Sequence, residues 1–181
     1  MARLHPFDEV IAAAVTAARS SVCAKSKRGV AVYYMLDGPR GKDTVPEIIG
    51  AYSNGPPPPF ECSSYDGDGR CERICNQWAV HAEARAVRRA VEYRGNRSEF
   101  RLLHVKVENG ELVAGGPPSC WQCSREILDA GLHGIWLYER KLTVSLEYLL
   151  GVSADAQAKD VTKWSFYSAE EFHRVTWENQ P

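Results

Sequence analysis

The sequence predicts an α/β protein, a three-layer sandwich built around a mixed five-stranded sheet. Three observations predict it. Segments with helical periodicity alternate with short β-branched and aromatic runs along the whole chain. No true linker interrupts the 181 residues, so residues 1–181 read as a single domain. Hydrophobic residues make up 44 %, enough for one sizeable core.

The elements follow in order. Residues 8 to about 19 form a helix, with Ile11, Val15 and the alanines on one side. Residues 29–36 are β-branched and aromatic, hence a strand, which Asp37-Gly38-Pro39 turns. Residues 47–52 make the second strand. Residues 54–75 are rich in Gly, Pro and Cys and read as a long loop that needs something to order it. Val80, Ala84, Val87 and Val91 recur at helical spacing and define a helix with His81 and Glu83 near its start. Leu103, Val105 and Val107 mark the third strand, and His104 between them reads as half-exposed. A further helix, with Cys120 and Cys123 at its start, runs from about 121 to 130, residues 135–138 are the fourth strand and 164–167 the fifth. Residues 140–181 form a C-terminal helix and strand extension. Its Trp164, Phe166, Tyr167, Phe172 and Trp177 suit a pocket lining, a subunit contact or core filling alike.

Charge and cysteine usage exclude several classes. Formal net charge is −1 and there is no basic tail, which gives no support for strong non-specific nucleic-acid binding. Arg3, His5, Asp8 and Glu9 surround an alanine-rich stretch that is neither a secretory signal nor a membrane span. All six cysteines can be placed in metal sites, so no disulfide framework is required and the cytoplasm is the expected compartment.

The chemistry-bearing pattern is His81-Ala82-Glu83 followed by Cys120-Trp121-Gln122-Cys123. One imidazole and two thiolates form a three-ligand zinc set that keeps a fourth tetrahedral position for water. Zinc makes such water nucleophilic near neutral pH, and a carboxylate beside it can move the protons. His81, Cys120 and Cys123 are therefore candidate ligands, and Glu83 is the candidate catalytic acid and base. A structural zinc knuckle or a redox Cys-x-x-C with an unrelated histidine is the plainer alternative. It leaves Glu83 unexplained, and structural sites usually close with a fourth protein ligand. Cys120 and Cys123 share a helix face if a helix starts near Ser119, and its positive end favours thiolates.

Cys23, Cys62, Cys71 and Cys75 lie outside that set. A second, closed four-thiolate zinc would tie the 54–75 loop to the end of the first helix, since structural zinc supplies folding free energy directly. Ordinary buried thiols or a disulfide are the alternatives.

These segments resemble the deoxycytidylate deaminase branch of the cytidine deaminase superfamily, over residues 7 to 138. The resemblance rests on Cys23-Ala24-Lys25-Ser26-Lys27-Arg28-Gly29-Val30-Ala31-Val32, Asn54-Gly55-Pro56-Pro57, His81-Ala82-Glu83, Ser119-Cys120-Trp121-Gln122-Cys123 and the turn 130–135. The His-x-Glu and Pro-Cys-x-x-Cys pattern is a signature of zinc nucleobase deaminases. The resemblance implies a cytidine deaminase-like fold, homo-oligomers, catalytic zinc and a second zinc. Cys71 and Cys75 stand ten and six residues before His81, where the family places two ligands of that second zinc. It further implies that Asn54 hydrogen-bonds the substrate's sugar and that the Ala82 backbone faces the pyrimidine edge. Asn54-Gly55 is also an ordinary turn dipeptide.

Two departures bear on substrate. The family's Thr-Leu-x-Pro-Cys run is replaced by Gly115-Gly116-Pro117-Pro118-Ser119-Cys120, and Trp121 is large for a place between ligands. That tryptophan suits base stacking or packing behind the metal helix. Arg85, Arg88, Arg89, Arg94, Arg97 and Arg101 read chiefly as a solvated face, from which one or two could hold a phosphate. The expected function is zinc-dependent hydrolytic deamination of a cytosine-type base on a free nucleotide. The alternatives are a DNA- or RNA-editing deaminase, including an effector type, and a non-catalytic zinc module.

Overall fold

α-Helices and strands, with one short 3-10 turn at Arg97–Glu99, make up the computed structural model, which describes residues 7–37, 44–56, 62, 80–116, 118, 120–143 and 159–180. They are α1 (Asp8–Arg19), β1 (Lys27–Asp37), β2 (Thr44–Ser53), α2 (Ala82–Glu92) and β3 (Arg101–Glu108). There follow β4 (Glu111–Val113), α3 (Trp121–Asp129), β5 (Gly134–Thr143), β6 (Lys159–Ser168) and α4 (Ala169–Glu178). The sheet runs β2-β1-β3-β5-β6, with β4 paired to β3. Among the described strands β3 and β5 pair in parallel and the other pairs are antiparallel, so the sheet is mixed as expected. The sixth strand is the short β4. Asn109 and Gly110 take positive φ, 51° and 84°, and turn β3 back on itself. Asn-Gly is the pair that a tight hairpin turn favours.

Strand alternation sorts side chains into two cores. Ala31 and Tyr33 of β1 and Leu103, Val105 and Val107 of β3 face α1 through its Val10, Ala14 and Ala18. Val30, Val32, Leu102, Ile135, Leu137 and Tyr167 face the other way, towards α2, α3 and α4. Three layers result, α1 on one side and three helices on the other.

Small residues set how closely the layers approach. A Cβ on Gly29 would lie 2.1 Å from the Ala14 carbonyl oxygen, so α1 rests directly on the β1 backbone. On α2 the buried stripe is Ala82, Ala86, Val87 and Ala90, while Val91 is exposed. Of the periodic positions read from the sequence, Ala84 and Val87 are buried and Val91 is not, and Ala82, Ala86 and Ala90 widen the buried face.

The C-terminal aromatics divide by strand parity. Tyr167 and Phe172 complete the α2–α4 core. Trp164 packs on the α1 side and meets Tyr138 at 4.9 Å, and Phe166 meets Trp136 at 5.2 Å. Trp177 is exposed. Among the described residues no helix is long and apolar enough to cross a membrane.

Candidate metal centre

Two helix starts converge to form the centre. Val80 and Gly55 exchange backbone hydrogen bonds at 3.0 and 3.2 Å, which anchors the chain to the end of β2 just before α2 begins. His81 then takes the N-cap position with extended dihedrals, and Glu83 falls in the first turn. Cys120 caps α3, where its sulfur accepts the Cys123 N–H at 3.4 Å. The loop that delivers Cys120 is held by Gly115 N–H to the Tyr138 carbonyl at 2.7 Å and by Asn179 Nδ2 to the Pro118 carbonyl at 3.2 Å. Behind it, the Ser124 hydroxyl bonds His173 Nδ1 at 3.0 Å and Thr176 Oγ1 at 2.6 Å, which fastens α3 to α4.

His81 Nδ1 lies 3.1 Å from Cys123 Sγ and 3.2 Å from Cys120 Sγ, and the two sulfurs are 2.9 Å apart. Among the described residues these three are the group whose ligand atoms all fall within 4.8 Å of one another. Tetrahedral zinc at ordinary Zn–S and Zn–N lengths holds its ligand atoms about 3.6–3.8 Å apart. Small side-chain rotations open the present triangle to that size, so the donor set fits a zinc ion with one position left open. The sulfur–sulfur hydrogen bond pulls Cys120 down to about 5, with help from His81 and the Cys123 N–H, and pushes Cys123 up. The Cys120 contact in turn raises His81.

Glu83 is not part of the ligand triangle. Its side chain is 11 % exposed and its Oε1 lies 3.7 Å from His104 Nε2. Burial raises the carboxyl, but His104, its own backbone N–H, His81 and Arg28 together hold it below the ordinary carboxylate range. His104 departs from the half-exposed expectation. It lies on the same face of β3 as Leu102, in the middle of a strand covered on both sides, and is 8 % exposed. Burial pushes it down to about 4, so it is neutral at pH 7. Its Nε2 is fully buried without a hydrogen-bond partner, an arrangement that costs about 1–3 kcal/mol.

Arg28 was given no role of its own in the sequence. The Arg28 charge acts on His81, Glu83 and His104 together. Arg85 departs from its expected solvated face. Its guanidinium donates to the carbonyls of Ser53, Gly55 and Pro56 at 3.0–3.2 Å, which ties the end of β2 to α2. Arg88, Arg89, Arg94 and Arg97 are exposed as expected.

Asn54 sits in the segment that Arg85 clamps. Its Oδ1 accepts from the Arg28 N–H and the Ser21 hydroxyl, both at 2.8 Å, and its Nδ2 donates to the Ser26 carbonyl at 2.8 Å. A backbone donor on one side and a backbone acceptor on the other fix the amide's orientation. The second N–H of the amide has no partner among the described residues. Ala82 is fully buried, and its backbone N–H belongs to the first turn of α2, where no intrahelical partner exists. Trp121 is half-buried and belongs to neither core.

Of the second cysteine set, Cys23 is buried just after α1, and Cys62 Sγ accepts the Ala24 N–H at 3.4 Å. Residue 62 thus comes back to the segment that carries Cys23. Cys71 and Cys75 lie outside the described residues.

No protein-family model and no curated protein matches the chain. Among solved structures it is similar to the dCMP deaminase of the cyanophage S-TIM5. The form in complex with dCMP and dUMP is 20 % identical with a TM-score of 0.44, over 72 % of this chain and 82 % of that one. The apo form of the same deaminase is 19 % identical with a TM-score of 0.42, over the same shares.

Proposed function

We propose that the chain is a zinc-dependent hydrolytic deaminase of a cytosine-type base carried on a free nucleotide, deoxycytidylate or a close relative. One observation carries the reading: an imidazole and two thiols converge at two helix starts, with a buried carboxylate on the adjoining turn. His81, Cys120 and Cys123 would hold the zinc, which supplies Lewis acidity and a water ionised near neutral pH when bound. Glu83 moves protons: it would carry the first from the attacking water to the ring nitrogen, and the second from the hydroxyl then on the ring carbon to the leaving amine. Overall, water replaces the exocyclic C–N bond with C=O, and ammonia departs. The first turns of α2 and α3 favour anionic sulfur through their exposed N–H groups. Asn54 would offer its remaining amide N–H to the sugar, and the Ala82 backbone would meet the base edge. Arg28 supplies a cation that a mononucleotide phosphate could neutralise.

Cys23, Cys62, Cys71 and Cys75 are proposed as ligands of a second, structural zinc, supported by the return of Cys62 to the Cys23 segment. A homo-oligomer is proposed from the half-exposed Trp136, Tyr138, Trp164 and Phe166 on one sheet face. Light scattering of only a 20.2 kDa species at micromolar concentration would contradict it.

An ammonia-release screen tests the function, run with zinc-loaded chain on nucleosides, nucleotides, and single- and double-stranded DNA and RNA. The expected result is fastest release from a pyrimidine deoxynucleoside monophosphate. Release from nucleic acid alone would favour the editing reading, and none from any substrate would overturn deamination.

A further inference from the structure

His104 is a buried polar group that the proposed proton carrier, ligands and substrate contacts leave without a task. It projects from β3 on the face that packs against α2, between the apolar side chains of Val30 and Leu102. Its Nε2 is buried, has no hydrogen-bond partner and points at Glu83 Oε1 from 3.7 Å. An apolar side chain would fill that space without an orphaned nitrogen, so core packing alone does not account for an imidazole there.

We propose that His104 is a positioning residue that donates its Nε2–H to one oxygen of Glu83 and leaves the other oxygen for the protons of the reaction. The assignment rests on the reading of Glu83 as proton carrier. A shift of less than about 1 Å closes the present gap to an ordinary hydrogen bond. Catalytic hydrogen bonds are often long before substrate binds and tighten afterwards. The acceptor also selects the tautomer, because an unprotonated Nε2 would turn its lone pair on the carboxylate. Glu83 has one backbone-anchored end on α2 and a side chain with several rotamers. A donor fixed on the sheet opposite removes that freedom, and angular misplacement of a proton carrier lowers turnover without touching substrate affinity.

The test compares zinc-loaded wild type with His104→Leu and His104→Gln. His104→Leu should lower kcat about 10- to 100-fold, with KM within about threefold and zinc content unchanged. His104→Gln, which keeps a donor, should recover most of that loss. Nitrogen NMR of the wild type should show the neutral Nε2–H tautomer, and its Nε2 resonance should move in Glu83→Gln. Unchanged kcat in His104→Leu, equal losses in both variants, or an Nε2 resonance indifferent to Glu83→Gln would each overturn the role of His104 alone. Absence of turnover in the wild type would instead overturn the deaminase reading and this role with it. The NMR arm needs no variant at position 104, so it stands if His104→Leu fails to fold.

Discussion

Glu83 and His104 are a buried acid and a buried base facing each other, and their environment decides which of them carries charge. Burial keeps the imidazole neutral, with its pKa held down to about 4. In the unfolded chain the same ring takes a proton below about 6.5. Between those two values the unfolded state binds the extra proton, so stability is lost as pH falls from about 6.5 towards 4. The loss attributable to this ring should reach about 2–3 kcal/mol near pH 4.5. Urea unfolding at pH 7.5 and 4.5 should show a steeper decline in wild type than in His104→Leu, and equal declines would contradict it. At this scale the cluster of His81, Cys120 and Cys123 was legible because their spacing is itself the signal. His104 and Arg85 were not, since a strand covered on both faces and a carbonyl clamp from a neighbouring loop exist only after folding. Asn54 was legible as a candidate, but the three hydrogen bonds that fix its amide come from Ser21, Ser26 and Arg28, which spacing does not connect to it.

At the element scale, close packing of α1 on β1 depends on Gly29. An added Cβ would also come within 2.6 Å of the Ala18 nitrogen, and neither contact can yield without lifting the helix. Gly29→Ala should cost about 2–3 kcal/mol, a fall in Tm of roughly 4–12 °C by calorimetry. An unchanged Tm would show that α1 does not rest where described. The Arg85 clamp gives a second expectation. Arg85→Met removes donors to three carbonyls of the segment around Asn54. Steady-state kinetics should show KM raised about tenfold with zinc content intact, and an unaltered KM would separate that segment from substrate binding. Helices and strands were readable from periodicity, since α/β layering imposes it. The β3–β4 hairpin was missed although Asn109-Gly110 announces its turn, and the buried face of α2 was read only in part, at Ala84 and Val87, because the alanines that widen it carry a weak hydrophobic signal.

For the whole molecule, the layered fold brings two separate helix starts and the end of β2 to one place, and that convergence turns a sequence motif into a candidate centre. The long segment before α2 would need its own cross-link to hold it, which leads to an expected two zinc ions per fully metallated chain. Cys62→Ser should lose one of them and lower stability while the other stays; a single zinc in active wild type would contradict this. The central claim is narrower: Glu83 moves protons beside a metal that it does not bind. Paired measurement of zinc content and ammonia turnover in wild type and Glu83→Gln tests it most directly. The account predicts equal zinc in both proteins and turnover lower in the variant by about 100-fold or more. Retention of more than a few per cent of turnover, or loss of the catalytic zinc along with the carboxylate, would contradict it.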